Sequence, residues 1–168
     1  MAFEQTEKEF YMREALFEAK TAALIGEVPI GAVIVYRGEI IGRGHNLREH
    51  SQDATTHAEI LAIQEACATI HSWRLEDAAI FVTLEPCPMC SGAIINSRLS
   101  EVYYGATDPK AGTAGTFMNL LTDERFNHQA EVEAGILADD AAGLLQQFFR
   151  QIRAKRKAKK KQKTEKQP

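Results

Sequence analysis

The spacing of apolar residues changes period several times along the chain, and each change marks an element. Met12, Leu16, Ala19 and Ala23 recur at helical spacing through an Ala-rich segment, which predicts a helix over about residues 6–24. Thr6 and Glu9 have the spacing of a capping box, and Gly26 followed by Pro29 ends the helix. Residues 31–36 and 39–44 are short apolar runs joined by Arg37-Gly38, which predicts a tight hairpin. Residues 45–56 are polar and read as a loop. From His57 the helical period returns in Ile60, Leu61, Ile63, Ala66, Cys67 and Ile70, with Cys67 read as a small buried core residue.

The run 79–84 is nearly all apolar, as befits a strand covered on both faces. It leads into Pro86 and a helix over about 88–97, with Ile94 and Ile95 facing inward. Residues 102–105 predict another strand. Residues 106–116 form a Gly-, Ala- and Thr-rich loop that opens on Asp108-Pro109-Lys110, and 117–121 read as a short helix. Alternation over 129–134 predicts a fifth strand. The last helix begins at Ala138, with Leu144, Leu145, Phe148, Phe149 and Ile152 on its apolar side. No internal repeat or interdomain linker interrupts this order, which predicts an α/β fold: a three-layer α/β/α sandwich over a five-stranded mixed sheet.

Charge adds an asymmetry. Residues 1–149 carry 10 Lys/Arg and 22 Asp/Glu, a net −12, whereas residues 150–168 carry 10 Lys/Arg and one Glu, a net +9. An acidic body with a basic end points to a polyanionic partner reached mainly through that end. Repulsion among the lysines predicts one domain over residues 1–156 and a basic, disordered tail over 157–168. The 168-residue length suits one domain with a sizeable core. Three cysteines give no disulfide framework, which predicts a reducing, cytoplasmic setting. The first residues show no basic region followed by an apolar run, so no signal peptide is expected. Nor does any stretch approach the roughly 20 apolar residues of a membrane span.

The chemistry is concentrated in two short stretches. Cys87 and Cys90 stand three apart at a helix start, so both sulfurs face one side, where the helix N-terminus favours thiolate. Two thiolates and the His57 imidazole form a donor set that suits zinc better than magnesium or calcium. Three protein ligands leave one tetrahedral position for water, the arrangement of a catalytic zinc. Glu59, two residues past His57, supplies a carboxylate that takes and returns a proton. A redox Cys-x-x-Cys needs no such His-x-Glu, and a structural zinc wants a fourth ligand that Cys67 is poorly placed to provide.

With these residues in view, the chain resembles the zinc-dependent nucleoside and nucleobase deaminases, whose signature is H-x-E…P-C-x-x-C. Over about residues 5–155 it is most similar to the bacterial tRNA-specific adenosine deaminases. That narrower likeness rests on Glu27-Val28-Pro29-Ile30-Gly31-Ala32-Val33, Asn46, His57-Ala58-Glu59-Ile60 and Thr83-Leu84-Glu85-Pro86-Cys87. Gly105-Ala106-Thr107-Asp108-Pro109-Lys110, Gly135-Ile136-Leu137 and Phe148-Phe149-Arg150 also carry it. The resemblance implies a cytidine-deaminase-like fold, a homodimer with one zinc per subunit, and no organic cofactor. It implies hydrolytic deamination of the wobble adenosine of a tRNA anticodon to inosine, by zinc-bound hydroxide with Glu59 as proton shuttle.

By the same resemblance, Asn46 would bind the buried nucleotide and Asp108 the anticodon sugar–phosphate chain. Phe149 and Arg150 would hold neighbouring bases apart, and Ala58, Pro86 and Lys110 complete the expected substrate contacts. Each has a plainer alternative. Asn46 could cap its loop, Asp108 could form a turn before Pro109, Lys110 could be a solvated charge, and one of Phe148 and Phe149 is expected to pack inward. His45, His50, His71 and His128 are not needed as ligands. Two other functions stay open: a deaminase of a free nucleobase, nucleoside or nucleotide of the cytidine or deoxycytidylate type, and a non-catalytic zinc-stabilised RNA-binding module.

Overall fold

A computed structural model describes residues 2–165. The elements in order are α1 (Gln5–Leu24), β1 (Gly31–Tyr36), β2 (Glu39–His45), α2 (Arg48–Ser51), α3 (Ala58–Ile70) and β3 (Ala78–Leu84). Then come α4 (Pro88–Ser97), β4 (Glu101–Ala106), β5 (Glu131–Ala134) and α5 (Ala138–Thr164). The strands form one mixed sheet in the order β2-β1-β3-β4-β5. β1 runs antiparallel to both β2 and β3, whereas β3, β4 and β5 are parallel.

Alternate residues of each strand feed two apolar layers. Ala32, Ile34, Ile80, Val82 and Val102 pack against Ala58, Ala62 and Ile63 of α3 and Ile94 of α4. Val33, Val35, Phe81 and Tyr103 pack on the other face against Met12 and Leu16 of α1 and Ala141 of α5. The α/β/α sandwich expected from the element order is therefore the observed fold. Its middle strands are buried on both faces, which explains why β1 and β3 read as unbroken apolar runs. Among the described residues no helix is long and apolar enough to cross a membrane.

Four local expectations are corrected. The N-cap of α1 is Glu4 rather than Thr6, and the Glu7 carboxylate accepts the Glu4 N–H at 2.9 Å. The earlier start lets Phe3 bury itself, with its ring 5.6 Å from Tyr11 and 5.5 Å from Phe81. The polar stretch after β2 contains the short helix α2. Residues 117–121 are not helical: Phe117 and Met118 both donate to the Gly112 carbonyl, and Ala114 pairs with Asn119. Finally, α5 stays helical to Thr164 where charge repulsion was expected to end order. Ala, Lys, Arg and Gln all have high helix propensity, and cations near a helix C-terminus are favoured by its dipole.

Candidate active site

The starts of α3 and α4 meet, with α4 following directly on the C-terminal end of the central strand β3. His57 is the N-cap of α3, held in extended backbone, and its amide donates to the Thr55 carbonyl at 2.8 Å. The position of α3 is fixed by close approach to β2, since a Cβ on Gly44 would collide with the Ala58 carbonyl. Cys87 is the N-cap of α4, Pro88 fills the first helical position, and Cys90 follows in the first turn. The His57 Nδ1 consequently stands 3.6 Å from the Sγ of both Cys87 and Cys90. One donor atom from each of the three residues lies within 4.8 Å of the others. No other group of three His, Cys, Asp or Glu side chains comes together in this way among the described residues.

The electrostatics of this triangle follow from burial and mutual contact. The Cys87 thiol is pulled down to about 4, chiefly by its hydrogen bond with Cys90 and also by His57. Cys90 is driven upward by the same contact and by its own burial. His57 is raised by its bond to Cys87, against the opposing effect of desolvation. One imidazole and two sulfurs, at least one of them readily ionised, match the donor chemistry of a zinc site.

Glu59 is only 4% exposed, and burial lifts its carboxyl from 4.5 to about 7, with the Cys87 charge acting in the same direction. It lies at the floor of a cavity of about 190 Å³ together with His57, Ala58 and Cys87. Val28, Ile30 and Leu84 supply apolar lining, and Asn46, Arg48, Glu85 and Asp108 supply further polar groups. The space is on the scale of a single base, below the roughly 300–1,000 Å³ typical of drug-sized ligand pockets.

The structure thus brings His57, Ala58, Glu59, Cys87, Asn46 and Asp108 to one cavity, with Cys90 buried behind it. Pro86 is buried and its carbonyl accepts the Thr113 amide at 2.9 Å and hydroxyl at 3.1 Å. Lys110, Phe149 and Arg150 do not line this cavity; they share a separate surface hollow with Arg153. Of the aromatic pair, Phe148 is buried and Phe149 is 42% exposed. Asn46 is itself buried, and its amide donates weakly to Glu27 and to the Val28 carbonyl, each at 3.5 Å. The Asp108 carboxylate accepts the amides of Lys110 and Ala111, the turn geometry expected before Pro109. Cys67 is half-buried at the edge of the core, with its thiol turned toward the Trp73 carbonyl. Three of the other histidines have their own side-chain partners: His45 meets Glu18, His50 meets Glu27 and His128 meets the Leu99 carbonyl, while His71 is the C-cap of α3, away from the triangle.

Two buried carboxylates escaped sequence reasoning as organisers of the cavity. Glu27 accepts the His50 amide at 2.6 Å and the His50 ring at 2.9 Å, which holds the loop that carries Asn46. Glu85 accepts the amides of Asp108, Ala114 and Thr116, each at 3.0 Å, and so gathers the opposite lip. Their signal was a glutamate set among apolar residues and prolines: Glu27 before Val28-Pro29, and Glu85 between Leu84 and Pro86.

The fold and this cavity define a hydrolytic deaminase of the cytidine-deaminase-like class. The MafB19-like deaminase family model matches residues 6–153. A tRNA-specific adenosine deaminase of Bacillus subtilis (strain 168) is 58% identical over 156 residues, 93% of this chain and 97% of that protein. A solved tRNA:A34 deaminase structure superimposes with a TM-score of 0.78 at 40% identity, covering 81% of this chain and 99% of its own. A solved guanine deaminase from Bacillus subtilis gives a TM-score of 0.59 at 39% identity, over 64% of this chain and 69% of its own. The chain belongs to the tRNA-specific adenosine deaminases, within the MafB19-like deaminase family.

Proposed function

We propose that this protein converts the wobble adenosine of a tRNA anticodon to inosine, releasing ammonia. The observation that carries the chemistry is the buried Glu59 beside the His57, Cys87 and Cys90 triangle at the floor of a base-sized cavity. The substrate follows from the relative and the solved structure described above, which bear the names tRNA-specific adenosine deaminase and tRNA:A34 deaminase.

His57, Cys87 and Cys90 would hold one zinc ion per chain. When bound, that ion supplies Lewis acidity, which lowers the pKa of water from 15.7 toward about 7. Glu59 takes a proton from the attacking water and passes it to N1 of the adenine, making C6 electrophilic. The C6–O bond forms, Glu59 then takes the remaining proton from the new C6 hydroxyl and gives it to the exocyclic nitrogen, and the C6–N bond breaks to give ammonia and inosine. A carboxyl held near 7 suits a group that must both accept and donate at neutral pH.

Val28, Ile30 and Leu84 exclude water around the flipped base, Ala58 contacts it inside the cavity, and Pro86, next to Cys87, completes the substrate contacts. Asn46 and Asp108 contact the nucleotide and its sugar–phosphate chain from the two lips. Lys110, Phe149 and Arg150, set apart from the cavity, hold the neighbouring nucleotides. Taking a base out of a loop costs less than taking it out of a duplex, which favours an anticodon loop. The protein works as a homodimer in the cytoplasm without an organic cofactor, its deaminase domain spanning residues 1–156 and its basic segment 157–168.

The guanine deaminase likeness favours a second reading, deamination of a free base. The net +9 of residues 150–168 has no use in that reading. Incubating the protein with bulk tRNA and mapping adenosine-to-inosine changes decides between the two. Inosine confined to wobble positions supports the proposal, and unaltered tRNA contradicts it.

A further inference from the structure

The outer turns of α5 are the largest charged feature that the chemistry above leaves unused. Ile152 is the last half-buried residue of this helix, and residues 153–165 are all exposed. The helix nonetheless continues without a break to Thr164. At 3.6 residues per turn, Arg150, Arg153, Lys157, Lys160 and Lys161 fall within an arc of about 100°, and the row is about 16 Å long. The cationic row begins beside Lys110, which shares a hollow with Arg150 and Arg153. Lys157, Lys160 and Lys161 line a further hollow along α5. Positive charge therefore runs outward from the Asp108–Lys110 lip of the cavity, on a body whose first 149 residues carry a net −12.

We propose that this row is a rigid basic arm that lies along the phosphates of the base-paired stem adjoining the loop that carries the target adenosine. The inference rests on the functional reading above and adds a second RNA contact to it. A membrane surface is the wrong partner, because no apolar residue larger than alanine occurs in 153–165 to enter a lipid interface. Unpaired RNA is also a poor fit, since that stretch has no aromatic side chain on which bases could stack. What remains is regularly spaced positive charge on a stiff rod, which suits the backbone of a paired stem. A preformed helix also avoids the ordering cost that a disordered tail would incur on binding.

Two triple substitutions remove equal charge from different sides of the arm. One is Lys157→Gln, Lys160→Gln and Lys161→Gln on the row; the other is Lys155→Gln, Lys159→Gln and Lys163→Gln on the opposite side. Glutamine keeps helix propensity high, and circular dichroism verifies that the helix is retained. Binding of the full chain to an anticodon stem-loop is measured across a salt series. Each lost phosphate contact flattens the log–log slope by about 0.7–0.9, so the row variant should flatten it by about 2. The opposite-side variant should flatten it by less than about 0.5. On the same loop sequence without its paired stem, the difference between the two variants should vanish. Equal slopes for the two variants, or a difference that persists on unpaired RNA, would overturn the arm. Inosine formation by the unaltered chain on the same stem-loop reads the functional proposal separately. With inosine formed and equal slopes, only the arm fails; with no inosine formed, the functional reading fails and the arm falls with it.

Discussion

Glu85 Oε2 accepts the backbone amide of Asp108 at 3.0 Å, tying the residue before the Pro86-Cys87 turn to the lip of the cavity. The other oxygen of the same carboxylate accepts the amides of Ala114 and Thr116, so one side chain 2% exposed takes three backbone N–H groups of the loop between residues 108 and 116. Gly112 is part of this arrangement, because a Cβ there would collide with the Glu85 carboxylate.

Glu85→Gln should therefore be costly despite its similar shape. A carboxamide offers one acceptor oxygen, and its NH₂ must face one of the N–H groups that the carboxylate now receives. Leaving a buried donor unsatisfied costs about 1–3 kcal/mol, and kcat/KM should fall as the lip loosens. Urea midpoints and steady-state kinetics check both. Unchanged stability and kcat/KM would mean that the loop holds itself.

The assignment of the metal ligands is tested by exchanging cysteines. Cys67→Ser should keep metal content at about one zinc per chain, because Cys67 lies outside the triangle. Cys87→Ser should lose both metal and activity. Atomic absorption on the purified variants is the measurement, and loss of zinc in Cys67→Ser would refute the ligand set.

Much of the triangle was legible because its spacing is local. Cys87 and Cys90 sit three apart on one helix turn, and His57 and Glu59 sit two apart at another helix start. The sheet was legible because β1 and β3 are buried on both faces. Glu27 and Glu85 were not, because their partners lie 19 to 31 residues away and nothing local marks the pairing. The reach of α5 was misjudged because two rules compete there. Like-charge repulsion is screened over about 8–10 Å at ordinary salt, whereas helix propensity adds up along the whole run. The separation of Lys110 and Phe149 from the cavity depends on where α5 docks, which no motif encodes.

Stability of the metal-free protein should depend on pH through Glu59. Its carboxyl ionises at about 7 in the folded chain, against an ordinary value of 4.5. Between those values the folded state binds more protons than the unfolded state, so raising the pH lowers stability. The loss is complete above about 7 and amounts to at most about 3 kcal/mol, and Glu59→Gln should escape it. Urea melts with chelator at pH 5 and pH 8 compare the two proteins. Parallel pH dependence in both would place the Glu59 carboxyl in a solvated setting.

The central claim is that Glu59 shuttles protons during deamination of a wobble adenosine held in a loop. The most direct measurement is single-turnover inosine formation on an anticodon stem-loop with adenosine at the wobble position, by the unaltered protein and by Glu59→Gln. Free adenosine, cytidine and guanine serve as parallel substrates. The account predicts inosine at the wobble position and negligible turnover of the free compounds. For Glu59→Gln it predicts a rate lower by at least about 10²–10⁴, with zinc content and RNA affinity little changed. Comparable turnover of a free nucleoside or base, or a Glu59→Gln variant that keeps its rate, would contradict it.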